Sequence, residues 1–231
     1  MNQAADFWDE RYSKNIGFEI LKTEKPSEAV EKFFEYLKSQ NVPPTGKLLD
    51  IGCGMGRNAN WLANKGFSVS GVDISSVAIE EARQRALKLG LSLDYQVANV
   101  SMKLSFTDES FDFIIDIVTN QLLSSVELRA YKKEILRVLK PGGRFLLYTL
   151  DRSIDKGAQQ LLRDFPGSEK NTYIIPQSGL MERTFILEEI AKFWSPLKIE
   201  SSELLFVPTK FEGKVYERYF WWVILNKTNI I

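Results

Sequence analysis

Leu48-Leu49-Asp50-Ile51-Gly52-Cys53-Gly54-Met55-Gly56-Arg57-Asn58 is the stretch on which the reading of this chain turns. A short apolar strand runs into three alternate glycines and then into a helix. Glycine reaches positive φ without steric cost and lets backbone come close to a ligand. In a doubly wound sheet such a loop lies at the carboxyl end of the strands, where ligands bind. A plain turn needs fewer glycines than three in five residues. A dinucleotide loop wants Gly-x-Gly-x-x-Gly/Ala, and here Arg57 stands where the third small residue belongs. That weakens the dinucleotide reading and leaves it open.

Outward from the loop the chain alternates strands and helices. Upstream, Ser27 caps a helix carrying Val30, Phe33, Phe34 and Leu37 on one side, which stops at Asn41-Val42-Pro43-Pro44. Downstream, a helix spans about Arg57 to Lys65, a second strand Phe67–Val72 ends at Asp73, and Ser75 or Ser76 caps the next helix. Leu93–Val97 and Phe111–Val118 read as the third and fourth strands. Ser124 and Glu127 form a capping box, Leu139-Lys140-Pro141-Gly142-Gly143 a stop, and Arg144–Leu150 a fifth strand. After a turn-rich stretch, 152–182, a helix at about Phe185–Trp194 precedes two strands, Leu197–Val207 and Tyr216–Asn226, joined as a hairpin. This order predicts an α/β fold: a Rossmann-like, doubly wound, seven-stranded mixed sheet with the final strand antiparallel.

Composition narrows the chemistry. The 231 residues suit a single domain, with residues 1–26 as an N-terminal lid segment and 152–182 as a substrate-recognition insert. Lys plus Arg and Asp plus Glu number 30 each, a balance that argues against nucleic acid as the partner, since phosphate binding favours basic proteins. The start lacks an apolar signal region and no stretch is long enough for a membrane span, so a cytoplasmic enzyme is expected. There is no histidine and one cysteine, Cys53. The commonest general base and most zinc sites are thereby removed, and no metal is expected.

Asp50-x-Gly52-x-Gly54-x-Gly56 after a strand resembles the first motif of class I S-adenosylmethionine-dependent methyltransferases. Gly71-Val72-Asp73-Ile74-Ser75, Phe106–Ile114 and Arg137-Val138-Leu139-Lys140-Pro141-Gly142-Gly143-Arg144 resemble three further blocks of that family, in its order, over about residues 45–150. Phe7-Trp8-Asp9-Glu10-Arg11-Tyr12 is similar to the entry segment of its small-molecule members, among them tellurite-resistance and thiopurine-like enzymes. The resemblance implies S-adenosylmethionine as cofactor and S-adenosylhomocysteine as product. It implies that the Gly52–Gly56 backbone, with Cys53 and Asn58, lies against the methionyl part, with Asp50 supporting the loop or the ammonium. Asp73 and Ile74 fall at the ribose, where an N-cap or solvated strand end is the alternative for the aspartate. Asn99 and Val100 fall at the adenine; Asn99 stands where the family commonly has aspartate, and its amide oxygen can still accept. Asp116 and Gln121 line the sulfonium side, Gln121 near a common histidine position, with a capping or loop role as the alternative for Asp116. Trp8 and Tyr12 form an aromatic lid, or pack on the sheet as a plain helix.

Methyl transfer from a sulfonium is an in-line displacement in which positioning and water exclusion supply much of the rate. Without histidine, the candidate bases are Asp116, Tyr148, Tyr173 and Glu182, with Asp116 and Tyr148 taken as the catalytic candidates. This tilts the acceptor towards sulfur, nitrogen or a carboxylate oxygen. Asp116-Ile117-Val118-Thr119 lacks the Asn/Asp-Pro-Pro-Tyr segment of DNA adenine and glutamine methyltransferases. The acceptor is expected to be a small molecule, with Tyr173 and Arg183 as substrate contacts, Arg183 pairing an anionic group or else lying at the surface as an ordinary arginine. The alternatives are a catalytically silent cofactor-binding module, an RNA methyltransferase and a nicotinamide-dependent oxidoreductase. Sequence carries no reading of oligomeric state.

Overall fold

The computed structural model describes residues 3–14, 23–211 and 214–228. Of the N-terminal segment 1–26, residues 1–2 and 15–22 lie outside the described residues. The elements run α1 (Gln3–Lys14), α2 (Glu28–Ser39), β1 (Gly46–Ile51), α3 (Arg57–Asn64), β2 (Phe67–Asp73), α4 (Ser76–Lys88), β3 (Asp94–Val97), β4 (Phe111–Ile117) and α5 (Ser125–Val138). Then follow β5 (Leu139–Leu150), α6 (Lys156–Asp164), β6 (Thr172–Ile174), β7 (Met181–Arg183), α7 (Leu187–Trp194), β8 (Lys198–Phe211) and β9 (Lys214–Asn226).

Seven strands form one sheet in the order β3-β2-β1-β4-β5-β9-β8, while β6 and β7 pair separately. The strands β1 to β5 are parallel, and β9 lies antiparallel between β5 and β8. The strand order reverses between β1 and β4, the switch point at which α/β sheets leave a crevice at their carboxyl ends. Alternation along the strands divides the core. Leu48, Phe113, Ile115, Leu146 and Tyr148 pack beneath α2, α3 and α4, whereas Leu49, Ile51, Ile114, Phe145 and Leu147 pack beneath α5 and α7.

Local chemistry sets the element ends. Ser27 accepts the Ala29 amide, Ser75 the Ala78 amide, and Ser124 with Glu127 completes the capping box. The boundary that differs most from the sequence expectation is the start of β5, at Leu139 rather than Arg144, and the β8–β9 hairpin is also longer, with β8 running to Phe211 and β9 starting at Lys214. For β5 the reason is tertiary, because Gly142 and Gly143 exchange backbone hydrogen bonds with Lys227 just beyond β9. The stretch 152–182 is ordered into α6, β6 and β7, with Asp155 capping α6.

Candidate cofactor and acceptor site

The glycine loop turns from β1 into α3 at the switch point. Gly52, Gly54 and Gly56 all have positive φ, at 66°, 53° and 80°. A side chain at Gly52 would put its Cβ 1.9 Å from Thr119 Oγ1, and one at Gly54 would meet the Tyr12 hydroxyl at 2.8 Å. The loop therefore needs glycine for both conformation and space. Asp73, at the end of β2, ties it down: its Oδ2 accepts the Gly54 amide at 2.9 Å and its Oδ1 the Ser75 amide at 2.9 Å. Burial raises the Asp73 carboxyl above its ordinary value, against the pull of those amides.

Asp50 is buried, and its Oδ2 has no hydrogen-bond partner among the described residues. Burial pushes its pKa up to about 8, with Arg57 opposing and Asp73 and Asp116 adding to the rise. An unpartnered buried carboxyl oxygen costs free energy unless a donor reaches it. A cationic ligand group reaching the loop would supply that donor. The residues present thus fit a bound S-adenosylmethionine, of which Asp50 would hold the charged amino acid end and Asp73 the ribose end.

The remaining expected contacts divide. Trp8, Gln121 and Tyr148 line a cavity of about 650 Å³ that opens beside the loop, as do Arg57 and Val118. Tyr12 is buried at Gly54, and its ring lies 6.0 Å from that of Trp8. Cys53 is buried beneath the loop, its thiol raised by burial and by neighbouring Asp50 and Asp73. Asn58 Oδ1 accepts the Ser27 amide at 2.9 Å, joining α3 to the start of α2. Asn99 Oδ1 accepts both the Ser101 amide, at 2.9 Å, and its hydroxyl, at 2.8 Å, and so closes its own turn after β3. Ile74 is half-buried and Val100 is in the core under α5.

Asp116 is fully buried at the end of β4 and does not line the cavity. Its Oδ1 accepts the Thr119 amide at 2.7 Å, and its Oδ2 accepts the Tyr131 hydroxyl at 2.7 Å and the Asn120 amide at 3.1 Å. Burial raises its pKa to about 6. These contacts make it the anchor of the short 3-10 turn Asn120–Leu122, which carries Gln121 into the cavity. Arg183 points elsewhere as well. It is buried against Glu169 and the Ser125 hydroxyl, at the N-terminus of α5.

Tyr173 belongs to a buried chain of polar groups at the far wall. Gln121 Nε2 donates to Glu182 Oε1 at 3.0 Å, the Tyr173 hydroxyl donates to Glu182 Oε2, and Arg218 Nη2 donates to the Tyr173 hydroxyl at 2.8 Å. Arg218 Nε also meets Asp155 Oδ2 at 3.1 Å. Sequence reading picked out Glu182 only as one of four candidate bases and passed over Arg218, Asp155 and the β8 segment Leu204–Pro208 that walls the cavity. No local pattern marks them. They converge because the insert after β5 folds against the β8–β9 hairpin. Arg57 was visible, though only as the residue that spoils a dinucleotide loop.

The fold and glycine site define a class I methyltransferase type. Residues 48–143 match the methyltransferase domain family. The chain is 31% identical over 165 residues to the ubiquinone biosynthesis O-methyltransferase of Idiomarina loihiensis, covering 66% of this chain and 67% of that protein. It is 34% identical over 126 residues to the enzyme of the same name from Chelativorans sp., of which it spans about half, 49%. An S-adenosylmethionine-dependent methyltransferase of Methanosarcina mazei has a similar structure, with a TM-score of 0.72 at 27% identity over 83% of this chain and 97% of that one. The chain belongs to the S-adenosylmethionine-dependent methyltransferases, and its cofactor is S-adenosylmethionine. Among the described residues no helix is long and apolar enough to cross a membrane.

Proposed function

We propose that this protein transfers a methyl group from S-adenosylmethionine to a small molecule bound in the cavity beside the glycine loop. The observation that carries this reading is continuity: Trp8, Arg57 and Val118 at the loop share one cavity with Tyr148, Phe220 and Leu204–Pro208 at the far wall. Its size and mostly apolar lining suit an acceptor of modest size. The two relatives named above are O-methyltransferases of ubiquinone biosynthesis by name, which favours a small organic acceptor over a macromolecule.

When bound, the cofactor supplies an electrophilic methyl group on its sulfonium. The chain's own residues position and dehydrate. Asp50, Asp73 and the loop backbone hold one partner, with Trp8 and Tyr12 of α1 as cover. Asp116 acts as a positioning residue, fixing the turn that carries Gln121. Tyr148 has its pKa raised by burial, with Glu28 adding, so at neutral pH its hydroxyl serves as a hydrogen-bond donor rather than a base. With no histidine in the chain, an acceptor that needs little help is favoured: sulfur, nitrogen or a carboxylate oxygen. Residues 152–182 act as the recognition insert through Leu180 and Glu182.

Titration calorimetry with S-adenosylhomocysteine and with NAD tests the cofactor half. One-site binding of the nucleoside thioether alone is expected, and a preference for NAD would overturn the reading. Transfer of labelled methyl to a panel of thiols, amines, carboxylic acids and phenols tests the acceptor half. Labelling of RNA in place of every small acceptor would overturn that half.

A further inference from the structure

The far wall of the cavity carries an uneven charge. Glu182 is 6% exposed and reaches the cavity between Gln121 and Tyr173. Behind it, Asp155 and Asp151 are fully buried, and the Asp155 amide lies 3.4 Å from Asp151 Oδ2. Among the described residues, Arg218 is the cation paired with this group, through Asp155 and the Tyr173 hydroxyl. Glu182 and Asp155 thus share a single guanidinium, and Asp151 adjoins Asp155 with no cation of its own among the described residues. Lys25 and Arg57, the other cations of the lining, lie together at the loop end, where Arg57 donates to the Lys25 carbonyl and neighbours Asp50.

Net negative charge in an apolar enclosure is costly, and a cation entering from the open side relieves it. The walls beside Glu182 favour the same visitor. Tyr148 and Phe220 stack with ring centroids 4.9 Å apart, and aromatic faces attract cations. Each Glu182 oxygen has one protein donor, so each keeps a lone pair for a ligand. An anionic head would meet Glu182 as a like charge.

We propose that Glu182 is the acceptor-recognition residue, and that the cavity takes an apolar-bodied amine, positively charged at neutral pH, with its ammonium on the Glu182 carboxylate. This rests on the cavity being the acceptor site of the methyltransferase read above. The inference assigns specificity to the insert, with Arg218 and Tyr173 holding Glu182 in place from behind.

The test measures binding of three matched probes to protein saturated with S-adenosylhomocysteine: 2-naphthylmethylamine, 2-naphthylmethanol and 2-naphthoate. The amine is expected to bind at least about tenfold tighter than the alcohol, the scale of one charge-assisted hydrogen bond, and the carboxylate weakest. In Glu182→Gln the amine should fall to the alcohol's affinity while S-adenosylhomocysteine binds as before. Equal or better binding of the alcohol or carboxylate to the wild type overturns the proposal, as does no binding of any probe. The wild-type comparison stands even where the variant folds poorly. An unchanged amine affinity in a folded Glu182→Gln also overturns it. Loss of S-adenosylhomocysteine binding by the wild type would instead strike the cofactor reading beneath it.

Discussion

The Asp9 carboxylate accepts the Ser75 hydroxyl at 2.5 Å, which pins the N-terminal helix two residues beyond Asp73. Asp9 also accepts from the Ser76 hydroxyl at 3.0 Å and the Val77 amide at 3.2 Å, so it sits at the positive end of α4. Burial opposes ionisation there, but these donors together hold its carboxyl below the ordinary value. A lowered folded-state pKa contributes stability above the unfolded value of 3.8 that is lost as pH falls through the folded one. Asp9→Ala should loosen α1 and expose Tyr12. Faster hydrogen exchange confined to α1 and the start of α4 is the expected readout, with S-adenosylhomocysteine affinity falling about tenfold or less. Unchanged exchange would mean that the latch holds nothing.

Asp73→Ala removes the acceptor for the Gly54 and Ser75 amides as well as the proposed ribose anchor. Hydrogen bonds to charged groups are worth about 1.5–3 kcal/mol each, so S-adenosylhomocysteine affinity should fall roughly 10- to 100-fold or more. Calorimetry reads this directly. An affinity within twofold of wild type would remove Asp73 from the site.

Asp50 has a pKa raised by burial to about 8, above its ordinary value of 3.8. Between those values the folded state holds the proton more tightly than the unfolded chain, so stability falls as pH rises through that window. The cofactor-free protein should therefore melt higher near pH 6 than near pH 8.5. Asp50→Asn should flatten this slope and weaken the binding of S-adenosylhomocysteine, whose amino group loses its anion. Scanning calorimetry across pH checks the first claim. An identical slope in the variant would show that another group sets it.

Gly52→Ala places a methyl group 1.9 Å from Thr119 Oγ1 at a φ of 66°, so loop and turn cannot both keep their places. A loss of about 1–3 kcal/mol in stability is expected, together with loss of cofactor binding. Adding Thr119→Ala removes the colliding hydroxyl and should return part of the stability in urea melts. No recovery would assign the whole cost to the backbone conformation.

Trp194 is fully buried and meets Phe145 with ring centroids 4.9 Å apart, fastening α7 beneath β5. Trp194→Ala should cost about 3–5 kcal/mol in chemical denaturation. A cost under about 1 kcal/mol would show that α7 contributes little to the core.

What the sequence exposes and hides follows from the range of the forces involved. The helix starts at Ser27, Ser75 and Ser124, the glycine loop and the acid at Asp73 are written in residues a few places apart, and all are legible. Periodicity likewise gives the strand order up to β5. Glu182, Arg218 and Asp155 meet only through contacts spanning up to 63 residues, and no spacing along the chain announces that meeting. Asp116 is ambiguous in sequence for the opposite reason. A carboxylate among apolar residues invites a chemical role, yet its oxygens are taken by the next turn and by Tyr131, 15 positions on. Trp8 of α1 and Leu180 and Glu182 of the insert border the cavity, as the proposed lid and recognition roles require.

The place of β9 between β5 and β8 sets an order on the ribosome. The glycine loop, Asp73 and the turn at Asn120–Leu122 are all synthesised before β5 begins, and β1 to β4 can pair as they emerge. The far wall waits for the hairpin, because Leu204–Pro208 of β8 and Arg218 and Phe220 of β9 arrive last, and β8 joins the sheet only through β9, which docks against β5. A nascent chain halted after β5 would carry the glycine loop and Asp73 without the wall proposed here to select the acceptor. In evolutionary terms, the selecting half can be rewritten downstream while the cradle upstream stays as it is.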